Sequence, residues 1–386
     1  MVNRLSKLRS AMVKRHLDAV LVSSVPNIIY LTGFSHFSKD EREAFLFIVA
    51  RPLGSSHETS DIVGYILTDA RYSEAVRNKI KNFELVETSS KLTFEKALKT
   101  LAKKHKVKRV GFDHHDITVA EHKKLSSCFN DLNLPREISK KFFRGHFSVD
   151  KLRTIKSPAE ISAIEKACEL GDKTFKYIFN RIKSGITEKQ LAFEIEFFIK
   201  KHGGDISFPP IVAFGKNSAI PHHKTSDQRL KTNDQILLDF GVKLNNYCSD
   251  MTRTIFFGSA NAEYKKIYQT VLAAQEKAIE ALINKDTPSL RSILAKDIDK
   301  IARECIVSQG YPTIPHSLGH GIGLEVHESP RLSPKSKDIL KEGMVFTIEP
   351  GIYIPSFGGV RIEDVVVLEK SGPRLLTNSP KGLVGM

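Results

Sequence analysis

The segment HSLGHGIGLEVHE, residues 316–328, contains three histidines, three glycines and two glutamates. An imidazole can bind a metal ion, transfer a proton or donate a hydrogen bond to a developing charge. His316, His320 and His327 are therefore candidates for different roles in one site. The same pattern is also typical of a glycine-rich turn beside a strand, so acidic residues elsewhere in the chain must distinguish these possibilities.

Two aspartates lie in a segment that predicts a β-hairpin. Asp239 ends the apolar run ILLDF, Asp250 follows eleven residues later, and Asn245 and Asn246 between them predict the turn. A buried carboxylate without a partner is costly, and two like charges on neighbouring strands repel unless a cation lies between them. The residues leave an alternative open, in which Asp250 pairs with Arg253 and Asp239 caps a turn.

Two glutamates lie in apolar strands nearer the end of the chain. Glu349 stands in MVFTIEPGIYIP, and Glu363 stands in GGVRIEDVVVLEK after a pair of glycines. Four half-buried carboxylates and one histidine are what a pair of hard or borderline divalent cations needs as ligands. This oxygen-rich set favours two ions of Mn, Co, Zn or Fe over copper, and it lacks the thiolates of a structural zinc site.

The order of these motifs resembles that of the pita-bread metallopeptidases, the family of methionine aminopeptidase, aminopeptidase P and prolidase. The motifs are DFG, SDMTRT, HSLGHGIGLEVHE, IEPGIY and GVRIED, and the resemblance covers the chain from residue 155 to its end. The N-terminal part is similar to the creatinase-type domain of the proline-directed branch, although it has no sharp motif. Methionine aminopeptidases usually lack that domain.

The resemblance implies a ligand for each metal position. Asp239 would bind one ion, Asp250 and Glu363 would bridge both ions, and His320 and Glu349 would complete the second. In such a site a hydroxide shared by the two ions attacks the scissile carbonyl. The resemblance also implies that Glu349 transfers a proton. The glycines beside His320 would let the backbone come close.

The resemblance gives the other histidines catalytic and binding roles. His327 would stabilise the tetrahedral intermediate, and His222 in NSAIPHHKTSDQRL would assist departure of the amine. His316 would line the pocket for the residue after the cleaved bond, or be a hydrogen-bonded core histidine. His223 departs from the family pattern, which commonly has a small residue there, and it receives no role.

Arg331, four residues after His327 in HESPRLS, bears on the substrate. A dipeptide ends in a carboxylate just past its proline, and a guanidinium can bind a carboxylate in two places. The segment resembles the His-Glu-x-Pro-Arg pattern of prolidases, which implies hydrolysis of the Xaa-Pro bond in dipeptides. The alternatives are an Xaa-Pro aminopeptidase that acts on longer peptides, an exposed arginine without a ligand, and a non-catalytic pita-bread binding module.

The elements that must position these residues form two groups along the chain. Helices and strands, with NIIYLTGF among the strands, alternate over about 130 residues and predict an α/β unit. We expect a creatinase-like N-terminal domain at 1–145 and an α+β pita-bread catalytic domain at 146–386, with antiparallel sheet covered by paired helices. Capping boxes that begin at Ser157 and Thr187 predict the first two helices of the second domain.

Composition narrows the class of partner. The chain has 386 residues and a net charge of +15, but its lysines are scattered over nearly every predicted helix, so a nucleic-acid partner is not expected. The expected partner is a small peptide with proline after the cleaved bond, and the resemblance implies a homodimer. The apolar run at 44–50 is too short to cross a membrane, and no export signal is visible, so we expect a cytoplasmic location.

The cysteines predict no disulfide framework. They lie far apart in the sequence without a C-x-x-C pair, so we expect reduced thiols. The four cysteines are Cys128, Cys168, Cys248 and Cys305.

Overall fold

The computed structural model describes residues 2–38, 40–50, 62–113, 115–130, 145–283 and 293–382. The chain divides into two compact units, Met1–Arg153 and Thr154–Met386. The division falls eight residues after the expected boundary at 145. The short helix before the division belongs to the first unit, because Asn27 donates to Asp150 and accepts from Arg153, both at 2.8 Å.

The first unit is built on a mixed sheet. Its strands are β1 (Ala19–Val22), β2 (Ala44–Ala50), β3 (Ile62–Asp69), β4 (Glu84–Thr88), β5 (Val110–Phe112) and β6 (Gly145–His146). Its helices are α1 (Val2–Lys14), α2 (Val25–Thr32), α3 (Ala70–Lys79), α4 (Phe94–Lys104), α5 (Val119–Asn130) and α6 (Asp150–Arg153). The spatial order is β4-β3-β2-β1-β5-β6, with β2 antiparallel to both neighbours and the other pairs parallel, which confirms the α/β prediction.

The segment NIIYLTGF is helical, and the predicted strand is wrong. Helix α2 has Pro26 in its first turn and ends at Gly33, whose φ of 76° is left-handed and whose N–H donates to Ile29 O. Proline at the start and glycine at the end are typical helix boundaries. Residues 26–32 are all buried, so no polar face gives the apolar run a helical period.

The strand pairs described in the second unit are antiparallel. Its first strands are β7 (Asp205–Ile206), β8 (Ile211–Phe214), β9 (Gln235–Phe240), β10 (Val242–Leu244), β11 (Tyr247–Cys248), β12 (Met251–Phe256) and β13 (Ile293–Leu294). The later strands are β14 (Gly319–Gly321), β15 (Glu328–Leu332), β16 (Ile339–Leu340), β17 (Val345–Ile348), β18 (Gly351–Ile354), β19 (Gly358–Arg361), β20 (Asp364–Glu369) and β21 (Gly372–Leu375). The largest grouping is the five-stranded β15-β14-β17-β20-β21, and two three-stranded groupings are β12-β9-β8 and β11-β10-β7.

Two pairs of helices cover these sheets. They are α7 (Pro158–Phe179), α8 (Glu188–Lys201), α9 (Ala262–Glu280) and α10 (Ala295–Ser308). One buried apolar cluster joins α7 and α8 to β8, β9 and β12, and another joins α9 and α10 to β17 and β20. Both predicted capping boxes are present, at Ser157 with Glu160 and at Thr187 with Gln190. The predicted α+β arrangement of antiparallel sheet and paired helices is confirmed.

Two simpler expectations concern thiols and membrane helices. Cys168, Cys248 and Cys305 are buried free thiols, and the side chain of Cys128 lies outside the described residues. Among the described helices, none combines the length and the apolar character that a membrane span requires.

Candidate metal centre

The hairpin β9–β12 brings Asp239 and Asp250 to one place. Asn245 and Asn246 have φ of 49° and 73°, the left-handed values that a tight hairpin turn needs, as the sequence predicted. Asp239 is directly opposite Thr252, two residues after Asp250. Both carboxylates are buried. The hairpin therefore places two acidic side chains at one end of the same strand pair.

The alternative assignment of these aspartates is wrong. Arg253 donates to Asp364 Oδ1 at 2.7 Å and otherwise to backbone carbonyls, so it is not the partner of Asp250. Asp239 lies inside strand β9 and caps no turn.

His320 lies on β14 between two glycines that have no room for a side chain. A Cβ on Gly319 would stand 1.9 Å from Thr347 O, and a Cβ on Gly321 would stand 2.2 Å from Ser329 O. Neighbouring backbone therefore approaches β14 closely on both sides, as predicted. The His320 N–H donates to the Thr347 hydroxyl at 3.1 Å, which ties the histidine to β17.

Glu349 and Glu363 are held at strand ends by backbone hydrogen bonds. Glu349 follows β17, and its N–H donates to Leu318 O at 2.7 Å. Glu363 lies between β19 and β20, and its N–H donates to Thr252 O at 3.1 Å. The Thr252 hydroxyl also donates to Glu363 Oε2 at 2.7 Å, which orients this carboxylate toward the aspartate hairpin.

The structure brings Asp250, Glu349 and Glu363 together with His320, whereas the direct side-chain contact of Asp239 is with Arg361. One ligand atom from each of Asp250, His320 and Glu363 lies within 4.8 Å of the others. His320 Nε2 is 3.6 Å from Asp250 Oδ2 and 3.5 Å from Glu349 Oε1. Asp250 Oδ1 is buried and has no hydrogen-bond partner among the described residues. A buried, unpartnered carboxylate oxygen is costly, so this donor set fits a cation.

The acidic residues also destabilise one another's charged forms. Burial raises the pKa of Asp250 well above its ordinary value, and the charges of Glu363 and Asp239 raise it further. Burial, and then the charge of Glu363, raises the pKa of Glu349 well above its ordinary value. The pKa of Glu363 rises to about 8, mainly through burial and then through Asp239. A divalent cation would relieve this repulsion.

His320 presents an unprotonated nitrogen to the carboxylates. Burial, and then the charge of His327, lowers the pKa of His320 to about 4, so the ring is neutral near pH 7. His320 Nδ1 lies 3.2 Å from Gly321 O, which can only accept, so Nδ1 carries the proton. The Nε2 lone pair then faces Asp250 and Glu349. This is the arrangement of a metal-binding histidine.

His316 lies beside the same group. Its Nδ1 is 2.8 Å from Ser317 O and 3.9 Å from Glu349 Oε2, and its Nε2 is 2.9 Å from the Tyr353 hydroxyl. Burial lowers the pKa of His316 to about 4. Both ring nitrogens therefore have protein partners at the edge of the site, which is also the geometry of a hydrogen-bonded core histidine.

Arg331 on β15 and His327, the residue before that strand, lie beside His320. The ring centroids of His320 and His327 are 4.4 Å apart with planes 75° to each other. Arg331 is directly opposite His320 in the sheet, is exposed, and donates to the Ser317 hydroxyl at 3.1 Å. Burial, and then the charge of Arg331, lowers the pKa of His327. Both residues therefore lie on the open side of the site.

His222 is exposed on a turn near the acidic group. The His223 N–H donates to Ile220 O at 3.1 Å, and His222 occupies the corner of this turn. Burial raises the pKa of Asp239, whereas the charges of Arg361 and His222 lower it, so His222 is within electrostatic range of Asp239.

Arg361 is a functional candidate that the sequence reasoning missed. It is buried, and its Nη2 donates to Asp239 Oδ2. Its Nη1 donates to the Tyr353 hydroxyl at 2.9 Å and to Pro221 O at 3.1 Å, and its Nε donates to Thr252 Oγ1 at 3.1 Å. The available signal was an arginine in the apolar strand GGVRIED, two residues before Glu363.

Comparison with known proteins identifies the family. Residues 162–370 match the model of metallopeptidase family M24, and residues 4–137 match the creatinase/prolidase N-terminal domain. The chain belongs to metallopeptidase family M24. Membership implies divalent-metal chemistry, for which Asp250, His320 and Glu363 form a candidate binding group. The N-terminal match agrees with the expected creatinase-like domain.

Individual M24 relatives are similar over nearly the whole chain. The Xaa-Pro dipeptidase of Pyrococcus horikoshii is 35% identical over 390 residues, covering 100% of this chain and 99% of that protein. The structure of the Xaa-Pro dipeptidase from Bacillus anthracis is 30% identical, has a TM-score of 0.83, and covers 100% of this chain and 99% of that chain. The X-Pro aminopeptidase structure from Thermotoga maritima is 32% identical with a TM-score of 0.80, covering 96% and 98%.

Proposed function

We propose that this M24 metallopeptidase hydrolyses the peptide bond before proline, chiefly in dipeptides, with two divalent metal ions. The observation that carries the proposal is the convergence of Asp250, His320 and Glu363 within 4.8 Å, with one buried carboxylate oxygen left without a partner. The full-length similarity to the Xaa-Pro dipeptidase of Pyrococcus horikoshii supports the choice of substrate.

The proposed ligands are the five residues predicted from the sequence. Asp250 and Glu363 would bridge the two ions, Asp239 would bind one, and His320 and Glu349 would bind the other. Two such ions, when bound, lower the pKa of a water molecule and polarise the scissile carbonyl. The neutral His320 and the crowding of four carboxylates support this set.

The chain's other groups would handle the proton and the developing charge. Glu349 would transfer a proton, because its carboxylate lies in the ligand group and 3.9 Å from His316. His327, beside His320, would donate to the oxyanion of the tetrahedral intermediate. His222, exposed and near Asp239, would stabilise the departing amine.

Substrate binding is proposed for His316 and Arg331. In the described part of the chain, the guanidinium of Arg331 has the Ser317 hydroxyl as its contact and forms no ion pair. Because only Nε of Arg331 is engaged by Ser317, the terminal nitrogens of the guanidinium can bind the terminal carboxylate of a dipeptide. His316 would line the pocket for proline, where its ring already lies beside Tyr353.

A second candidate function is that of an Xaa-Pro aminopeptidase, which the similarity to the Thermotoga maritima structure favours. Release of free alanine from Ala-Pro and from Ala-Pro-Pro, assayed with Mn, Co, Zn and Fe in turn, separates the two. We expect faster turnover of Ala-Pro. A preference for Ala-Pro-Pro would support the aminopeptidase, and metal binding without hydrolysis of either peptide would indicate a binding module.

Other properties of the protein stay predictions. These are the homodimer, the cytoplasmic location, the absence of a nucleic-acid partner and the domain ranges 1–145 and 146–386. Light scattering during size-exclusion chromatography tests the dimer. Elemental analysis of protein purified without added metal tests the identity and number of the ions.

A further inference from the structure

The adjacent residues His222 and His223 have different surroundings. His222 is exposed at the corner of its turn. The side chain of His223 is only 10% exposed, and its Nε2 lies 2.8 Å from Oε2 of Glu188, which is fully buried. One histidine of the pair therefore faces solvent, while the side chain of its neighbour is hydrogen-bonded inside the protein.

Glu188 accepts hydrogen bonds from several residues of the segment that carries these histidines. It is the first residue of α8, and its carboxylate accepts five hydrogen bonds. The donors are Phe214 N–H, Asn217 Nδ2, His223 Nε2, Ser226 N–H and Ser226 Oγ. A buried carboxylate with this many donors is a strong, fixed acceptor.

The charge state of Glu188 settles the role of the His223 ring. Burial raises the pKa of Glu188, but the hydrogen bonds from Ser226 and Asn217, with those from Phe214 and His223, outweigh burial and lower it overall. Glu188 is therefore ionised and can only accept, so His223 Nε2 carries a proton and donates it.

A second fixed point lies on the other side of His222. The carbonyl of Pro221 accepts from Nη1 of Arg361, whose Nη2 donates to Asp239. The backbone before His222 is thus held from the acidic site, and the side chain after it is held by Glu188. The exposed ring of His222 lies between these two points.

We propose that His223 is a positioning residue, which through Glu188 fixes the turn so that His222 meets the leaving amine. This role rests on the proposed peptidase function of His222. A hydrogen-bond donor that drifts by about 1 Å can cost 100-fold in rate, so a second anchor one residue away is a direct way to limit drift. The His223 side chain does not touch the substrate in this scheme.

The test is a double-mutant cycle between the two histidines. His223→Ala should lower kcat on Ala-Pro by about 10-fold to 100-fold, with KM and metal content unchanged. His223→Gln, whose amide can still donate to Glu188, should recover most of the rate. In a His222→Ala background the same His223→Ala change should have little further effect, because the group that it positions is already gone.

Equal losses from His223→Ala in both backgrounds would overturn the proposal, because they would show a general structural effect. His202→Ala is the matched control. His202 is an exposed histidine at the end of α8 whose ring donates a hydrogen bond to Phe198 O at 2.8 Å, and the loss of this side chain should leave kcat unchanged.

A readout without catalysis separates this proposal from the proposed function. Lys224 is exposed next to His223, so limited trypsin digestion should cut after Lys224 faster in His223→Ala than in wild type or His223→Gln. Unchanged digestion would overturn the anchoring role. A wild-type chain that hydrolyses no proline peptide, but shows the expected digestion pattern, would overturn the proposed function and leave the anchor in place.

Discussion

The histidines of segment 316–328 differ in what their ring nitrogens face. His320 donates from Nδ1 to Gly321 O and turns Nε2 toward carboxylates, whereas both nitrogens of His316 have protein partners. The rings of His327 and His320 meet edge to face, and His327 has no carboxylate partner among the described residues. These surroundings, rather than the spacing alone, favour His320 as the metal ligand.

Alanine variants of the three histidines His222, His320 and His327 should differ in metal content and in kcat. His320→Ala should lower bound metal, since it removes a ligand, whereas His327→Ala and His222→Ala should keep metal and lose kcat. Loss of one transition-state donor typically costs about 2.7–4 kcal/mol. Elemental analysis beside steady-state kinetics gives both quantities. Equal metal loss in all three variants would contradict this division of roles.

Arg331 should discriminate between substrates. Arg331→Ala should raise KM for Ala-Pro by one to two orders of magnitude, on the order of 1.5–3 kcal/mol for a charge-assisted contact. Ala-Pro-Pro should be nearly unaffected, because its chain continues as an amide where the dipeptide has its carboxylate. Arg331→Lys, which keeps the charge and loses the fork, is the control and should be intermediate. Comparable losses on both peptides would favour the aminopeptidase.

At the scale of elements, a buried network fixes the strands that carry the ligands. Arg253 on β12 donates to the carbonyls of Thr252 and Glu363 and to the carboxylate of Asp364. Asp364 is fully buried and also binds Lys381 Nζ at 2.8 Å. Strand β12, the start of β20 and the chain near residue 381 are thereby joined behind the acidic site.

Removal of Arg253 should destabilise this network. Arg253→Met leaves Asp364 buried with one cation fewer, which should lower the free energy of unfolding by about 3 kcal/mol. Urea unfolding followed by circular dichroism measures the change. The double variant with Asp364→Leu should lose less than the sum of the single variants, because the stranded charge is gone. Strict additivity would show that the pair does not act as a unit.

The elements differ in how far the sequence could predict them. The turn at Asn245–Asn246 and the helix caps depend on neighbouring residues, so local patterns predicted them. Helix α2 is buried on all sides, so its sequence of apolar residues shows no helical period. The pair Arg361–Asp239 joins strands β19 and β9 across 122 residues, a contact that no local pattern encodes. For the same reason, the sequence left two partners open for Asp250, a cation and Arg253, and only the fold excludes Arg253.

For the whole molecule, the net charge of +15 contrasts with the acidic site, where the carboxylates of Asp239, Asp250 and Glu363 are buried and that of Glu349 is half-buried. Without metal, the raised pKa values of Asp250, Glu349 and Glu363 mean that the folded protein binds more protons than the unfolded chain does. Folding stability from these groups is therefore present at low pH and is lost as pH rises through their folded pKa values.

The metal-free protein should consequently lose stability between pH 6.5 and the pKa of about 8 of Glu363. His316 and His320 act in the opposite direction, but their pKa values, lowered to about 4 from 6.5, affect stability only below that window. Glu363 should contribute a loss of about 2 kcal/mol across the window, and the raised pKa values of Asp250 and Glu349 act in the same direction. Chemical unfolding of chelator-treated protein at several pH values measures the slope, and Asp250→Asn should reduce it. Saturating Mn should abolish the loss, because the carboxylates are then ionised and paired in the folded state. Metal-free stability that stays level or rises across this window would contradict the account of four mutually repelling carboxylates.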